Sequence, residues 1–218
     1  MNVTAPRPVG YPAHWAVNAL LADGATVFIR PIKPDDAPAL LIHFSRLSEA
    51  SVYFRFFGAK RELSGAEVAH FTTVDYRDRM AFVASQDDEL VGVGRYEHLG
   101  TSATAEVAFA VVDTHQGRGI GGLLLEHLAA YAPHHGVTAF CAEVLRDNQR
   151  MLAVFHGASY LRERDTVDHD VVRCTFDLTT LDAKVPVIKR PMALAARGAL
   201  RHDAITTDRT DPASASRQ

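Results

Sequence analysis

The run Gln116-Gly117-Arg118-Gly119-Ile120-Gly121 constrains this 218-residue chain more than any other six residues. It follows an apolar stretch, Val107 to Val112, and precedes the leucine-rich run Leu123 to Ala130. That order predicts a strand, a short loop, a glycine-rich turn and a helix. The glycines at 117, 119 and 121 let successive backbone N–H groups converge on one point with no side chain in the way. The same N–H groups form the unpaired first turn of the helix, where the dipole favours an anion. The pattern therefore predicts a cradle for a phosphate or pyrophosphate; the plainer reading is a tight turn into a helix.

The residues around the glycines narrow the choice of ligand. A P-loop needs a Lys-Ser/Thr pair after its last glycine, and Ile120-Gly121-Gly122-Leu123 supplies neither. A dinucleotide fingerprint needs G-x-G-x-x-G with an acidic residue about 20 positions on. Gly117, Gly119, Gly121 and Gly122 are spaced differently. What remains, Gln-x-x-Gly-x-Gly after a strand, resembles the acetyl-CoA pyrophosphate loop of the GNAT N-acetyltransferases.

Composition removes other partners. With 23 Lys and Arg against 26 Asp and Glu, the chain carries no basic excess that would recruit nucleic acid. No apolar run approaches the roughly 18 residues that cross a membrane. Met1 to Gly10 carries prolines and little hydrophobicity, unlike a signal peptide. The expectation is a cytoplasmic protein with no membrane partner. Cys141 and Cys174 lie in apolar runs without CxxC spacing and are expected to be reduced and buried. His134-His135 falls at a helix end, and Asp168-His169-Asp170 in a polar turn between two strands. Neither pair has the further converging ligands a metal needs, so no metal is expected.

Along the chain, Thr26 to Arg30 alternates and reads as a first strand after an Asp23-Gly24 turn. Pro34-Asp35-Asp36 starts a helix through Leu40, Leu41, Phe44 and Leu47, and Ser48 opens a second with Tyr53, Phe54, Phe56 and Phe57. Ser64-Gly65-Ala66-Glu67 is a capping box for a third. Strands are predicted over 80–85, 90–96 and 106–112, then the glycine loop and a helix over 119–132. A strand over 137–145, a helix over 148–155 and a last strand over 171–178 complete the folded part. Residues 1–17 read as an N-terminal extension and 18–183 as one domain. Residues 184–218, with Pro186, Pro191 and Pro212 among Ala, Arg, Ser, Thr and Asp, read as a largely disordered tail with a helix near 192–200.

Further stretches specify a branch. Asp23-Gly24-Ala25-Thr26-Val27-Phe28-Ile29-Arg30-Pro31-Ile32, Ser51-Val52-Tyr53-Phe54-Arg55-Phe56-Phe57 and Phe71 to Arg79 are similar to segments of bacterial protein lysine acetyltransferases. The same segments occur in acetyltransferase modules fused to ADP-forming acyl-CoA synthetase-like chains. The resemblance covers about residues 18–180. It implies a GNAT α+β fold, with a central mixed, mostly antiparallel sheet flanked by helices. It also implies acetyl-CoA as co-substrate and a protein lysine acceptor such as an acyl-CoA synthetase. The synthetase region and sensing domains of such relatives have no counterpart in this sequence, so control is expected to be absent or supplied by a partner.

Acetyl transfer to lysine requires a neutral amine, and at a pKa of about 10.4 only about one molecule in two to three thousand is neutral at pH 7. A carboxylate at the acceptor can take the proton as attack proceeds. Alternation places Glu106, Ala108, Ala110 and Val112 on one strand face, the small residues leaving room for a substrate chain. The resemblance implies that Glu106, opening Glu106-Val107-Ala108-Phe109, is the general base; otherwise it is an exposed glutamate at a strand start. It further implies an oxyanion donor in the backbone N–H of Val111 or Val112, and cofactor contacts from Gln116, Gly117, Gly119, Ile120 and Gly121. Asn148 either caps a helix, holds CoA, or does both. Arg118 either reaches the CoA 3′-phosphate or lies along the surface. Phe155 stands where many members carry a proton-donating tyrosine, so no general acid is expected; Ser159-Tyr160 replaces the usual Gly-Phe. The competing readings are N-acetylation of a small amine or amino acid, and a non-catalytic CoA-sensing module.

Overall fold

The computed structural model describes residues 10–181. The tail expected over 184–218, its helix near 192–200, and residues 1–9 lie outside that range. Eight strands form one sheet: β1 Val17–Leu20, β2 Thr26–Pro31, β3 Arg79–Gln86, β4 Glu89–His98, β5 Thr104–Val111, β6 Ala139–Leu145, β7 Leu161–Asp168 and β8 Val171–Asp177. Five helices accompany them: α1 Ala37–Ser45, α2 Glu49–Phe56, α3 Gly65–Thr72, α4 Ile120–Tyr131 and α5 Gln149–Gly157. The strand order is β1-β2-β3-β4-β5-β6-β8-β7, antiparallel throughout except where β5 meets β6. This is the mixed, mostly antiparallel sheet expected.

Local chemistry explains the element ends. Ser48 caps α2 by accepting the Ser51 N–H at 3.2 Å, and Ser64 and Glu67 close the anticipated capping box on α3. The β3–β4 hairpin turns on Asp87 and Asp88, both at positive φ, a conformation Asp tolerates better than most residues. No helix among the described residues is long and apolar enough to cross a membrane.

Each sheet face has its own core. Under α4 lie Phe82, Val91, Tyr96, Val107, Ile120, Leu124 and Leu128; under α1 to α3 lie Ile32, Leu40, Phe44, Val52, Val83 and Val93. Gly92 and Gly94 of β4 let α4 approach closely, because a Cβ at Gly94 would stand 2.9 Å from Leu124 Cβ and from the Phe109 ring.

Two strands differ from the sequence expectation. β1 lies ahead of the strand read as first and begins inside the expected extension. Tyr11 and Trp15 also pack on the core, Trp15 edge-on to Tyr131 at 5.0 Å and the Tyr11 hydroxyl donating to the Pro31 carbonyl at 2.9 Å. Four residues are too few for alternation to register. β7 was implied only as the near side of the Asp168 turn. It is a sheet edge, exposed along nearly its whole length, so no apolar pattern marks it.

Candidate active site

The glycine loop is built as its spacing required. Gly117 and Gly119 sit at φ of 77° and 97°, in the left-handed region where a side chain is strained. No side chain caps α4, whose N-cap is Gly119. Leu123 N–H returns to the Gly119 carbonyl at 3.0 Å, so the N–H groups of Ile120, Gly121 and Gly122 precede the first intrahelical donor. This polarised end opens onto a cleft of about 920 Å³, lined by residues of α2, β5, the loop, β6 and α5.

Gln116 organises the loop with its side chain. Its Nε2 donates to the Val111 carbonyl at 2.9 Å and to Ser51 Oγ at 3.1 Å, while its Oε1 accepts from Arg150 Nη1 at 2.6 Å. Asp113 extends the tie, accepting from Ser48 N–H at 2.8 Å and from the hydroxyls of Ser48 and Ser51 at 2.7 and 2.9 Å. Burial pushes the Asp113 carboxyl up, but these hydrogen bonds outweigh it and hold the group below its usual range. The N-terminus of α2 is thereby fastened to the end of β5.

The Arg118 side chain is engaged on the surface. Its Nε donates to Asp23 Oδ2 at 2.6 Å and its Nη1 to Gln86 Oε1 at 3.0 Å, so the guanidinium does not line the cleft. At the loop end of the cleft the lining includes Arg150, in the first turn of α5 beside Gln116.

β5 supplies the middle of the cleft. Its parallel pairing with β6 covers Thr104, Ala105 and Glu106 and goes no further, so the two strands part beyond Glu106. Between β4 and β5, Val112 N–H donates to the Val91 carbonyl at 2.9 Å. Of the two amides expected to hold an oxyanion, that of Val112 is therefore already used. Alternation turns the N–H of Val111 the other way, toward the gap. Glu106 is exposed at the mouth of this gap, opposite Cys141 in register, and lines the cleft with Ala108 and Ala110.

Asn148 lines the same cleft and caps α5, its Oδ1 accepting the Met151 N–H at 3.1 Å. Phe155 is buried between Phe109 and Phe176, at ring-centroid distances of 6.0 and 5.0 Å, and has no proton to give. Tyr160 is buried and packs on Phe176 at 5.9 Å. Cys141 and Cys174 are free thiols, raised by burial above their ordinary pKa.

Residues 50–158 match the model of the acetyltransferase (GNAT) family. The chain is 32% identical over 159 residues to the acetyltransferase PA5475 of Pseudomonas aeruginosa, covering 71% of this chain and 84% of that protein. The chain belongs to the GNAT acetyltransferase family. It is also 33% identical over 164 residues to the acetyltransferase Pat of Mycolicibacterium smegmatis, matching 73% of this chain but only 48% of Pat. Among solved structures, the GNAT domain of S. lividans PAT superposes with a TM-score of 0.73 at 40% identity, covering 77% of this chain and 99% of that one.

For a GNAT acetyltransferase, the loop, the parted β5–β6 edge and Glu106 stand in a workable order along one cleft. Sequence reasoning missed Arg150, Asp113 and Ser51. Arg150 had a faint signal, a cation two residues beyond Asn148 at a helix start. The others had none, because each is defined by what another element brings to it.

Proposed function

We propose that this protein is an acetyl-CoA-dependent N-acetyltransferase that acetylates lysine side chains of proteins, with Glu106 as general base. The observation that carries this reading is the convergence of Glu106 and the uncapped glycine loop on one cleft, with an unpaired strand edge between them. The N–H groups of the loop and the side chain of Arg150 would hold the pyrophosphate. The free edge of β5 would pair with the pantetheine amides as an added strand does. Asn148 would keep its cap and offer its remaining polar atoms to the cofactor.

In the reaction, the acceptor amine attacks the thioester carbonyl as Glu106 takes its proton. The new N–C bond forms, the C–S bond breaks, and the thiolate leaves with the electron pair. A preorganised N–H at Val111 would stabilise the developing oxyanion by about 3 kcal/mol. A thiolate whose parent thiol has a pKa of about 8.5 leaves without an acid, which suits a site that has Phe155. The similarity to Pat and to the PAT GNAT domain supports a protein acceptor, for which an acyl-CoA synthetase is the first candidate.

Incubation with labelled acetyl-CoA and a host-cell lysate tests the reading by mass spectrometry. Label on protein lysines is the expected outcome; label confined to small metabolites overturns the protein acceptor. Tight acetyl-CoA binding with no transfer at all would point instead to a CoA-sensing module.

A further inference from the structure

On the acceptor side of the cleft, Arg55 of α2 lines the same space as Glu106. Its guanidinium has no carboxylate within ion-pair distance and no hydrogen-bond acceptor among the described residues. The contact it makes is with the Phe56 ring, 5.0 Å from the centroid. Arg95 of β4 is in the same condition, resting 4.0 Å from the centroid of Phe71. Elsewhere in the fold, arginines reach carboxylates: Arg30 to Asp36 at 2.7 Å, Arg46 to Glu89 at 2.5 Å, Arg118 to Asp23 at 2.6 Å and Arg173 to Glu143 at 2.6 Å. Arg55 and Arg95 have no such partner, and Arg55 stands at the substrate end of the cleft.

Two guanidiniums left this way are costly. Burial disfavours the charge on both, and the Arg55 charge adds to the depression of Arg95, which is pushed down to about 9. Neighbouring carboxylates offset little of this. Glu106 acts on Arg55 only through space, and Glu97, its register partner on β4, is already bonded to His70 at 3.2 Å. Behind Arg55, a cavity of about 30 Å³ is shared with Arg95 and with the buried His43, whose Nε2 has no hydrogen-bond partner. A space of that size admits no side chain of a ligand. The face of Arg55 open to a partner is therefore the one in the main cleft.

We propose that Arg55, with Arg95 behind it, forms a carboxylate-binding subsite of the acceptor pocket. This rests on the acetyltransferase reading and deepens it: the acceptor presents its amine to Glu106 and a carboxylate to Arg55. A planar guanidinium takes a carboxylate in bidentate fashion, which fixes orientation as well as charge. The carboxylate comes either from an acidic residue flanking the target lysine or from the α-carboxyl group of a free amino acid.

Two matched pairs of acceptors separate these sources: a capped peptide with Asp on both sides of Lys against its Asn twin, and free lysine against lysine amide. Binding of each to the CoA-saturated protein is measured by calorimetry, and acetylation from labelled acetyl-CoA is followed in parallel. The charged member of one pair is expected to bind about tenfold tighter than its twin, as a charge-assisted hydrogen bond allows. Which pair shows the difference names the source. Arg55→Gln should abolish the ratio and Arg55→Lys keep part of it. Equal affinity within both pairs, no binding of either charged member, or a ratio that survives Arg55→Gln overturns the subsite. Acetylation of charged and neutral acceptors at equal rates with equal affinities leaves the transferase reading standing and removes the subsite. Charge-selective binding without any transfer does the reverse.

Discussion

Gln116 and Arg118 stand two residues apart in one motif, yet they do opposite things. Gln116 ties the glycine loop to the end of β5, to α2 and to Arg150, whereas Arg118 turns back to Asp23 and Gln86. Gln116→Ala removes three hydrogen bonds, one of them from an arginine, and should raise the acetyl-CoA KM about tenfold with a smaller change in kcat. Arg118→Ala should leave that KM within about twofold, since an exposed ion pair contributes little. If the two variants show the same KM in steady-state assays, the division of roles is wrong. At Glu106, replacement by Gln should lower kcat by roughly 10²–10⁴ while leaving acetyl-CoA affinity unchanged. Equal turnover at saturating substrate would remove Glu106 from the mechanism. The glycine motif and the strand face of Glu106 were legible in the sequence because glycine spacing and strand alternation are local properties, whereas the role proposed for Glu106 came from the family resemblance. The destination of the Arg118 side chain was not legible, because Asp23 lies 95 residues away in the chain.

At the scale of elements, the position of α4 against β4 decides where the loop opens. Gly92 and Gly94 are the reason it can sit so close: an added Cβ at Gly92 would stand 2.8 Å from Ile120 Cγ2, and at Gly94 2.9 Å from Leu124 Cβ. Gly94→Ala should therefore destabilise the fold by about 1–3 kcal/mol, as overpacking does, and weaken acetyl-CoA binding by shifting the start of α4. Urea unfolding and acetyl-CoA titration of the same variant check both effects; wild-type values in each would show that α4 yields without cost. Helices α1 to α3 were predictable from their caps and apolar spacing. β1 and β7 escaped, the first through its length and the second because an exposed edge needs no hydrophobic face.

Across the whole molecule, two buried histidines, His43 of α1 and His127 of α4, lie on opposite faces of the sheet as neutral rings. Burial pushes His43 and His127 down to about 4; hydrogen bonding to the Leu90 and Leu123 carbonyls works against that shift, and for His43 the Arg46 charge works with it. In the unfolded chain each imidazole titrates near about 6.5. As pH falls below that value the unfolded state takes up protons that the folded state refuses. Stability is thus full above about pH 6.5 and is lost as pH falls toward about 4, by up to about 3 kcal/mol per histidine. Urea unfolding at pH 7 and pH 5 should show the loss, and His127→Gln should shrink the difference between the two. An unchanged difference would place the acid sensitivity elsewhere.

The amino-acid sequence by itself determined most of the element order, the glycine turn into α4 and the strand that carries Glu106. Each of these depends on residues within one or two turns of each other. The tertiary structure decided what surrounds them: the parting of β5 from β6 beyond Glu106, the commitment of Val112 N–H to Val91, the entry of Arg150 into the cleft, and the lack of an ion pair at Arg55 and Arg95 among the described residues. These are pairings between groups far apart in the chain. Only the packing of two helical layers on one twisted sheet fixes which of them meet, and no local pattern of residues encodes that.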